Sequence, residues 1–171
     1  QQARFIPTGG VGLHNLNAYL SLPNVLCCGG SFLVPAGLVE AGRFDEIETL
    51  CRAAVQTMFD PQLCHVGMNC AGAQEAEQRA KALDRLFGFA PRELPGAWFA
   101  GSAAELVKKP FLGAHGHLAI AVNHIERAMA WYQAHGVAFR EEGLVMDGAG
   151  VVAVYLQEEV GGFAIHLRRR D

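Results

Sequence analysis

A chain of 171 residues, 51% apolar and 18% charged with a net charge of −3, has the make-up of a folded globular protein and excludes disorder. Fourteen Lys and Arg against seventeen Asp and Glu leave no basic excess for a nucleic-acid backbone. No run reaches the roughly eighteen apolar residues of a membrane span, and no basic-then-apolar opening marks a secretory signal, so nucleic acid and membrane are not expected partners.

In chain order, the first segment reads strand, glycine loop, helix, strand, glycine loop, helix. Arg4-Phe5-Ile6 is a short extended run ended by Pro7, and Thr8-Gly9-Gly10 follows as a turn. Leu13, Leu16 and Leu20 are spaced for one face of a helix. Val25-Leu26-Cys27-Cys28 predicts a strand buried on both faces, as in a parallel sheet, closed by Gly29-Gly30-Ser31. Ile47, Leu50, Cys51, Ala54, Val55 and Met58 form a helical stripe with Asp45 as its N-cap, ending near Phe59-Asp60-Pro61. The chain opens Gln1-Gln2-Ala3 without Met and is expected to continue upstream.

After Pro61 the pattern changes, which predicts a boundary at residues 59–63 and domains at 1–60 and 61–171. A strand is predicted from Cys64 to Cys70, a helix from Ala73 to Phe87 stopped by Gly88, and a strand from His117 to Asn123. A second helical stripe follows through Ile125, Ala128, Met129 and Tyr132 up to Gly136, then strands at Val151–Leu156 and Phe163–Leu167. The stretches from His65 and from His117 repeat one pattern at a spacing of about fifty residues, each ending in an Arg-Glu pair, Arg92-Glu93 and Arg140-Glu141. Trp98 and Phe99, on one strand, are expected to fill the interior. Five cysteines (Cys27, Cys28, Cys51, Cys64, Cys70) without CxxC spacing predict buried thiols in a reducing, cytoplasmic compartment. Arg168-Arg169-Arg170 reads as a solvated tail.

The two glycine loops, each at the end of an apparent parallel strand, have the backbone freedom to gather N–H groups around an anion, with hydroxyls from Thr8 and Ser31. The stretch Arg4-Phe5-Ile6-Pro7-Thr8-Gly9-Gly10, then Asn15, Tyr19-Leu20, Pro23-Asn24-Val25 and Gly29-Gly30-Ser31-Phe32-Leu33-Val34-Pro35, resembles the last two βα units of the 2-keto-3-deoxy-6-phosphogluconate/4-hydroxy-2-oxoglutarate aldolase family. The resemblance implies an α/β barrel fragment. For the parent protein it implies class I cleavage of those keto-acids to pyruvate and an aldehyde through a Schiff-base lysine, with no cofactor. It also implies phosphate contacts at Thr8, Gly9, Gly10, Gly29, Gly30 and Ser31. The family's lysine lies upstream of this match, and the lysines present are Lys81, Lys108 and Lys109. The expectation is that this chain alone does not cleave the substrate, because a nucleophilic lysine needs a desolvated barrel position.

Residues 64 to 168, through His117-Leu-Ala-Ile-Ala-Val-Asn123, Ile125-Glu126-Arg127-Ala128, Trp131-Tyr132 and Phe163-Ala-Ile-His166-Leu167, resemble the vicinal oxygen chelate superfamily, which includes glyoxalase and bleomycin-resistance proteins. That implies an α+β domain of paired β-α-β-β-β modules. Mapped onto this sequence, its metal ligands fall on His65, Glu105, His117 and His166, a set that suits zinc, nickel or iron. An alternative pairs Glu105 with Lys108 or Lys109 at the surface. Implied partners are a small keto-acid or phosphorylated sugar acid, the missing N-terminal barrel segment and further copies of the chain in a homo-oligomer. A reading of a different class is a non-catalytic module that binds a small molecule or a metal.

Overall fold

A computed structural model describes residues 3–170; Gln1, Gln2 and Asp171 lie outside the described residues. The chain forms two compact units, Gln1–Asp60 and Pro61–Asp171.

In the first unit the two predicted strands reduce to a single parallel bridge between Phe5 and Val25. Phe5 N–H donates to the Asn24 carbonyl at 2.9 Å, and Leu26 N–H donates to the Phe5 carbonyl at 3.0 Å. The next rung of a parallel ladder needs a donor at position 7, where proline has none, so the pairing stops there. Burial on both faces is not found either. Val25 is buried and Cys28 packs beside it against Val11, Leu16, Leu20 and Ala54, while Leu26 and Cys27 are exposed. The helices are α1 (Leu16–Leu20), α2 (Ala36–Glu40) and α3 (Phe44–Phe59). α2 has no counterpart in the sequence reading. α3 starts one residue ahead of Asp45, so Arg43 takes the N-cap place without a side-chain bond. Asp45 and Glu46 stand instead in the first turn, where their charge opposes the positive end of the helix dipole.

The second unit is one eight-stranded mixed sheet with two helices on it, an α+β domain. Its elements are β1 (Gln62–Asn69), α4 (Ala73–Phe87), β2 (Pro91–Glu93), β3 (Ala97–Ala100) and β4 (Ala104–Val107), then β5 (Gly116–Val122), α5 (Ile125–Ala134), β6 (Val145–Asp147), β7 (Gly150–Val160) and β8 (Phe163–Arg169). The strand order is β2-β3-β4-β1-β5-β8-β7-β6. β1 pairs with β4 in parallel, β5 pairs with β8 in parallel, and β1 meets β5 antiparallel. Two β-α-β-β-β modules thus join at the β1–β5 seam, each mirroring the other's strand order.

Strand alternation sends successive side chains to opposite faces. One face carries Met68, Trp98 and Leu106 against Ala76, Ala80 and Leu83 of α4, with Cys70 buried among them. Cys70 is the one buried thiol, where five were expected; all five cysteines are free. The opposite face is concave and holds the polar cluster described below. Arg168 and Arg169 end β8 rather than forming a tail. No helix among the described residues is long and apolar enough to cross a membrane.

The edge strand β6 is tied back by Asp147, whose carboxylate accepts hydrogen bonds from Arg169 at 2.5 and 3.0 Å and from the Ala149 N–H at 2.8 Å. The Arg169 guanidinium holds the Asp147 carboxyl at about 2, below its ordinary 3.8. A carboxyl depressed in the folded state contributes stability above its unfolded value and loses it as pH falls through the folded one. Asp147→Asn is expected to lower the melting temperature at pH 7 by at most about 2–4 °C, the scale of one exposed ion pair. The difference should shrink as pH falls from about 4 toward 2, and melts followed by circular dichroism across pH check it.

Candidate functional site

The registers of the sheet align two rows of side chains across the concave face. One row runs Phe99, Glu105, Gly67, His117 over β3, β4, β1 and β5. The other runs Tyr155, His166, Ala119, His65 over β7, β8, β5 and β1. Each row reads aromatic ring, ionisable group, small residue, histidine, and the two cross at the β1–β5 seam. His65 and His117 are therefore equivalent positions of the two modules, as are Glu105 and His166.

The structure gathers His65, His117 and His166 and sets Glu105 against His65 and His117. One oxygen of Glu105 lies 3.0 Å from His65 Nε2 and 3.1 Å from His117 Nε2, and the two Nε2 atoms lie 3.2 Å apart. Ligand-capable atoms of His65, His117 and His166 all fall within 4.8 Å of one another. The three histidines are buried. Tyr155 stacks on His166, with centroids 4.8 Å apart and planes 16° apart, and Phe99 meets His65 edge-on at 5.5 Å. Both ring nitrogens of His166 are buried without a hydrogen-bond partner among the described residues. Cys64 Sγ lies 3.2 Å from His65 Nδ1, which leaves the Nε2 side of that ring facing the cluster.

Electrostatics set the forms of these groups. Burial pushes the Glu105 carboxyl up, but hydrogen bonds from His117 and His65 outweigh it and hold the group at about 2, as carboxylate. Burial, with the neighbouring His117 and His65, presses His166 down to about 3, as neutral imidazole. Burial and the Glu105 charge raise the Tyr155 hydroxyl to about 12. The surface alternative for Glu105 is not found, since Lys108 instead pairs with Glu93 at 2.6 Å.

A cavity of about 610 Å³ adjoins the cluster, walled by Phe99, Val107, Phe111 and Val152 and carrying Lys109 and Arg168. Asn69 holds part of its rim, donating to the Gly113 carbonyl at 2.8 Å and accepting from the Phe111 N–H at 3.4 Å. In the first unit the glycine loops also lie side by side. Gly29 N–H donates to the Pro7 carbonyl at 3.0 Å, and a Cβ at Gly29 would touch the Thr8 methyl at 3.3 Å. Asn15 pins the first loop, accepting from Gly12 N–H and donating to the Gly10 carbonyl, each at 2.9 Å. Gly9 and Gly10 take φ of 79° and 68°, the left-handed region open to glycine.

The chain was compared with known proteins by sequence and by structure. The family model for KDPG and KHG aldolase matches residues 1–50. The KHG/KDPG aldolase of Escherichia coli (strain K12) is 54% identical over 55 residues, 32% of this chain and 26% of that enzyme's length. The 2-dehydro-3-deoxy-phosphogluconate aldolase of Dickeya dadantii (strain 3937) is 56% identical over 52 residues, 30% of this chain and 24% of its own. The chain thus spans about a quarter of the length of the curated relatives it matches. Among solved structures, methylmalonyl-CoA epimerase from Mycobacterium tuberculosis aligns with 64% of this chain and 87% of its own at 17% identity and a TM-score of 0.46. Hypothetical protein BH1468 from Bacillus halodurans C-125 aligns with 65% and 95% at 17% identity and a TM-score of 0.43. Residues 1–50 are similar to KDPG and KHG aldolase, and the second unit is built from two paired β-α-β-β-β modules.

Sequence reasoning missed Gly67 and Tyr155. Gly67 shares the parity of His65 on β1, a spacing the sequence displays, whereas Tyr155 joins the site through its pairing with His166 across β7 and β8. Trp98 and Phe99 were expected to fill the same interior, but adjacent residues of a strand face apart; Phe99 lines the cavity while Trp98 packs toward α4. A Cβ at Gly67 would land inside the His117 imidazole. Gly67→Ala is therefore expected to displace that ring and cost about 1–3 kcal/mol by overpacking. Gly148→Ala, where a Cβ meets nothing within 4 Å, should stay within about 0.5 kcal/mol of the parent. Urea unfolding of both variants measures the contrast.

Proposed function

We propose that His65, Glu105, His117 and His166 hold one divalent metal ion, zinc, nickel or iron, in a glyoxalase-like domain that accompanies keto-acid aldolase chemistry. The observation that carries the metal reading is His166, a buried imidazole with neither nitrogen partnered. A buried polar atom without a partner costs about 1–3 kcal/mol, and a cation beside the ring supplies one for its lone-pair nitrogen. The other donors support the same reading. The Glu105 oxygen and the His65 and His117 Nε2 atoms form a triangle with edges of 3.0, 3.1 and 3.2 Å. With metal–ligand bonds of about 2.1 Å, adjacent ligands of one ion sit about 3.0 Å apart in an octahedral shell and about 3.4 Å in a tetrahedral one. Hydrogen bonds alone account for the triangle poorly, because two imidazoles that both donate to Glu105 turn like partial charges toward each other across 3.2 Å.

A bound ion supplies Lewis acidity to adjacent oxygens of a ligand in the cavity. The chain's own residues do the rest. Cys64 orients His65 from behind, as outer-shell partners of metal-binding imidazoles do. Phe99, Val107 and Phe111 exclude water from the ligand's body. Purified protein supplemented with zinc, nickel and iron and then desalted is expected to retain about one equivalent of metal. His166→Ala and Glu105→Ala should each weaken retention by about 10-fold or more. No stoichiometric metal after all three supplements would falsify the four-ligand reading.

For the first unit, the resemblance to aldolases supports a barrel-derived segment whose glycine loops hold a substrate phosphate through Thr8, Gly9, Gly10, Gly29, Gly30 and Ser31. The amides of Gly9, Gly10, Gly30 and Ser31 donate to no atom among the described residues, which leaves them available to an anion. The whole protein would cleave 2-keto-3-deoxy-6-phosphogluconate or 4-hydroxy-2-oxoglutarate to pyruvate and an aldehyde. The lysines of this chain do not suit the Schiff base. Lys81 is exposed and paired with Glu77, Lys108 is paired with Glu93, and Lys109 is exposed. Borohydride reduction with pyruvate should therefore leave Lys81, Lys108 and Lys109 unmodified by mass spectrometry; an adduct on any of them assigns the aldolase step to this chain.

A further inference from the structure

Tyr155 is only 9% exposed, yet its hydroxyl has no hydrogen-bond partner among the described residues. A buried tyrosine hydroxyl normally has one. The ring that carries it is fixed by its neighbours. His166 stacks on one face, while Phe111 and His117 meet the ring at steep angles with centroids 5.7 and 6.0 Å away. Gly143 closes against its side, where a Cβ would come within 2.7 Å of the ring. The register pairs Tyr155 with His166, and the residue lines the cavity beside the histidine cluster. The Glu105 charge acts on the hydroxyl across the site. A rigidly held donor thus adjoins the cavity without an acceptor. The walls supply a different chemistry. Phe111 and Val145 line the same space and remain 53% and 49% exposed, apolar surface that a ligand's body would remove from water.

We infer that the cavity binds a small carboxylate with an apolar body, its carboxylate set between the metal site and the Tyr155 hydroxyl. The placement of the carboxylate rests on the metal reading. Glu105 is the one carboxylate in the proposed ligand set, so a divalent ion there keeps positive charge and attracts an anion. A carboxylate brings two oxygens: one faces the ion, and the other accepts the hydrogen bond that Tyr155 donates. A phenol, with an ordinary pKa of about 10, keeps its proton at neutral pH and so serves as that donor. A polyhydroxylated sugar acid suits the space poorly, because its hydroxyls would lose water against Phe99, Val107 and Phe111 without gaining partners.

Isothermal titration of the full, metal-loaded chain with benzoate tests the inference, with metal content measured separately by mass spectrometry. Benzoate is expected to bind at least about 10-fold more tightly than benzamide, which lacks the charge, and than acetate, which lacks the ring. Tyr155→Phe keeps the ring and its stack and removes only the hydroxyl. At equal metal content it should weaken benzoate binding about 10-fold or more. Circular dichroism confirms that the variant is folded. Parental benzoate affinity in Tyr155→Phe overturns the inference and leaves the metal reading standing. Benzamide binding as tightly as benzoate overturns it too, as does a loss of benzoate affinity in Lys109→Ala alone, which puts the carboxylate on Lys109 of the cavity wall instead. A protein that retains no metal overturns the metal reading and, with it, the placement of the carboxylate.

Discussion

The second unit depends on the antiparallel seam between β1 and β5. That pairing sets His65 opposite Ala119 and His117 opposite Gly67, and the parallel pairings to β4 and β8 then place Glu105 and His166 one strand further out. A slip of one residue at the seam would send one of the two histidines to the opposite face from the other, because strand side chains alternate with a period of two. The register is therefore held by the same apolar positions that pack α4, such as Met68, Leu106 and Trp98. Packing on one face of the sheet fixes the chemistry on the other.

This arrangement concentrates polar groups where burial is costly. Three imidazoles and a carboxylate meet at the floor of an otherwise largely apolar cup, and two ring nitrogens there lack partners. The fold accommodates them by removing bulk between the rows. Gly67 leaves room for the His117 ring, and Ala119 fills the equivalent place beside His65 with a single methyl. Such departures from good local packing are expected where a site rather than stability sets the residue.

Much of the second unit was legible in the sequence because its signals are periodic. The helix Ala73–Phe87 follows from the spacing of Ala76, Ala80, Leu83 and Phe87, and the resemblance of the two modules put the four candidate ligands on their first and last strands. What escaped was carried by register and parity rather than composition. Tyr155 and Gly67 acquire meaning once β7 is laid on β8 and β1 on β5. Arg168 and Arg169 looked like a terminal tail because three arginines in a row suppress the alternation that marks a strand, yet pairing with β5 and β7 extends β8 through them. In the first unit the motif was legible and the strands were not. Its glycines and prolines identify the loops, but Pro7 also removes the donor that would have lengthened the pairing.

The two modules are close to equivalent in backbone but not in charge. Where one places the carboxylate of Glu105, the other places the neutral imidazole of His166. With a carboxylate at both positions, a divalent ion would be neutralised; with His166 in place of one, a positive charge remains. Arg168, two residues further along the same strand, and Arg92, at the end of the Glu105 row, add to it on the same side of the sheet. The asymmetry of one residue pair would thus leave an ion held by this site with a positive charge that its protein ligands do not cancel.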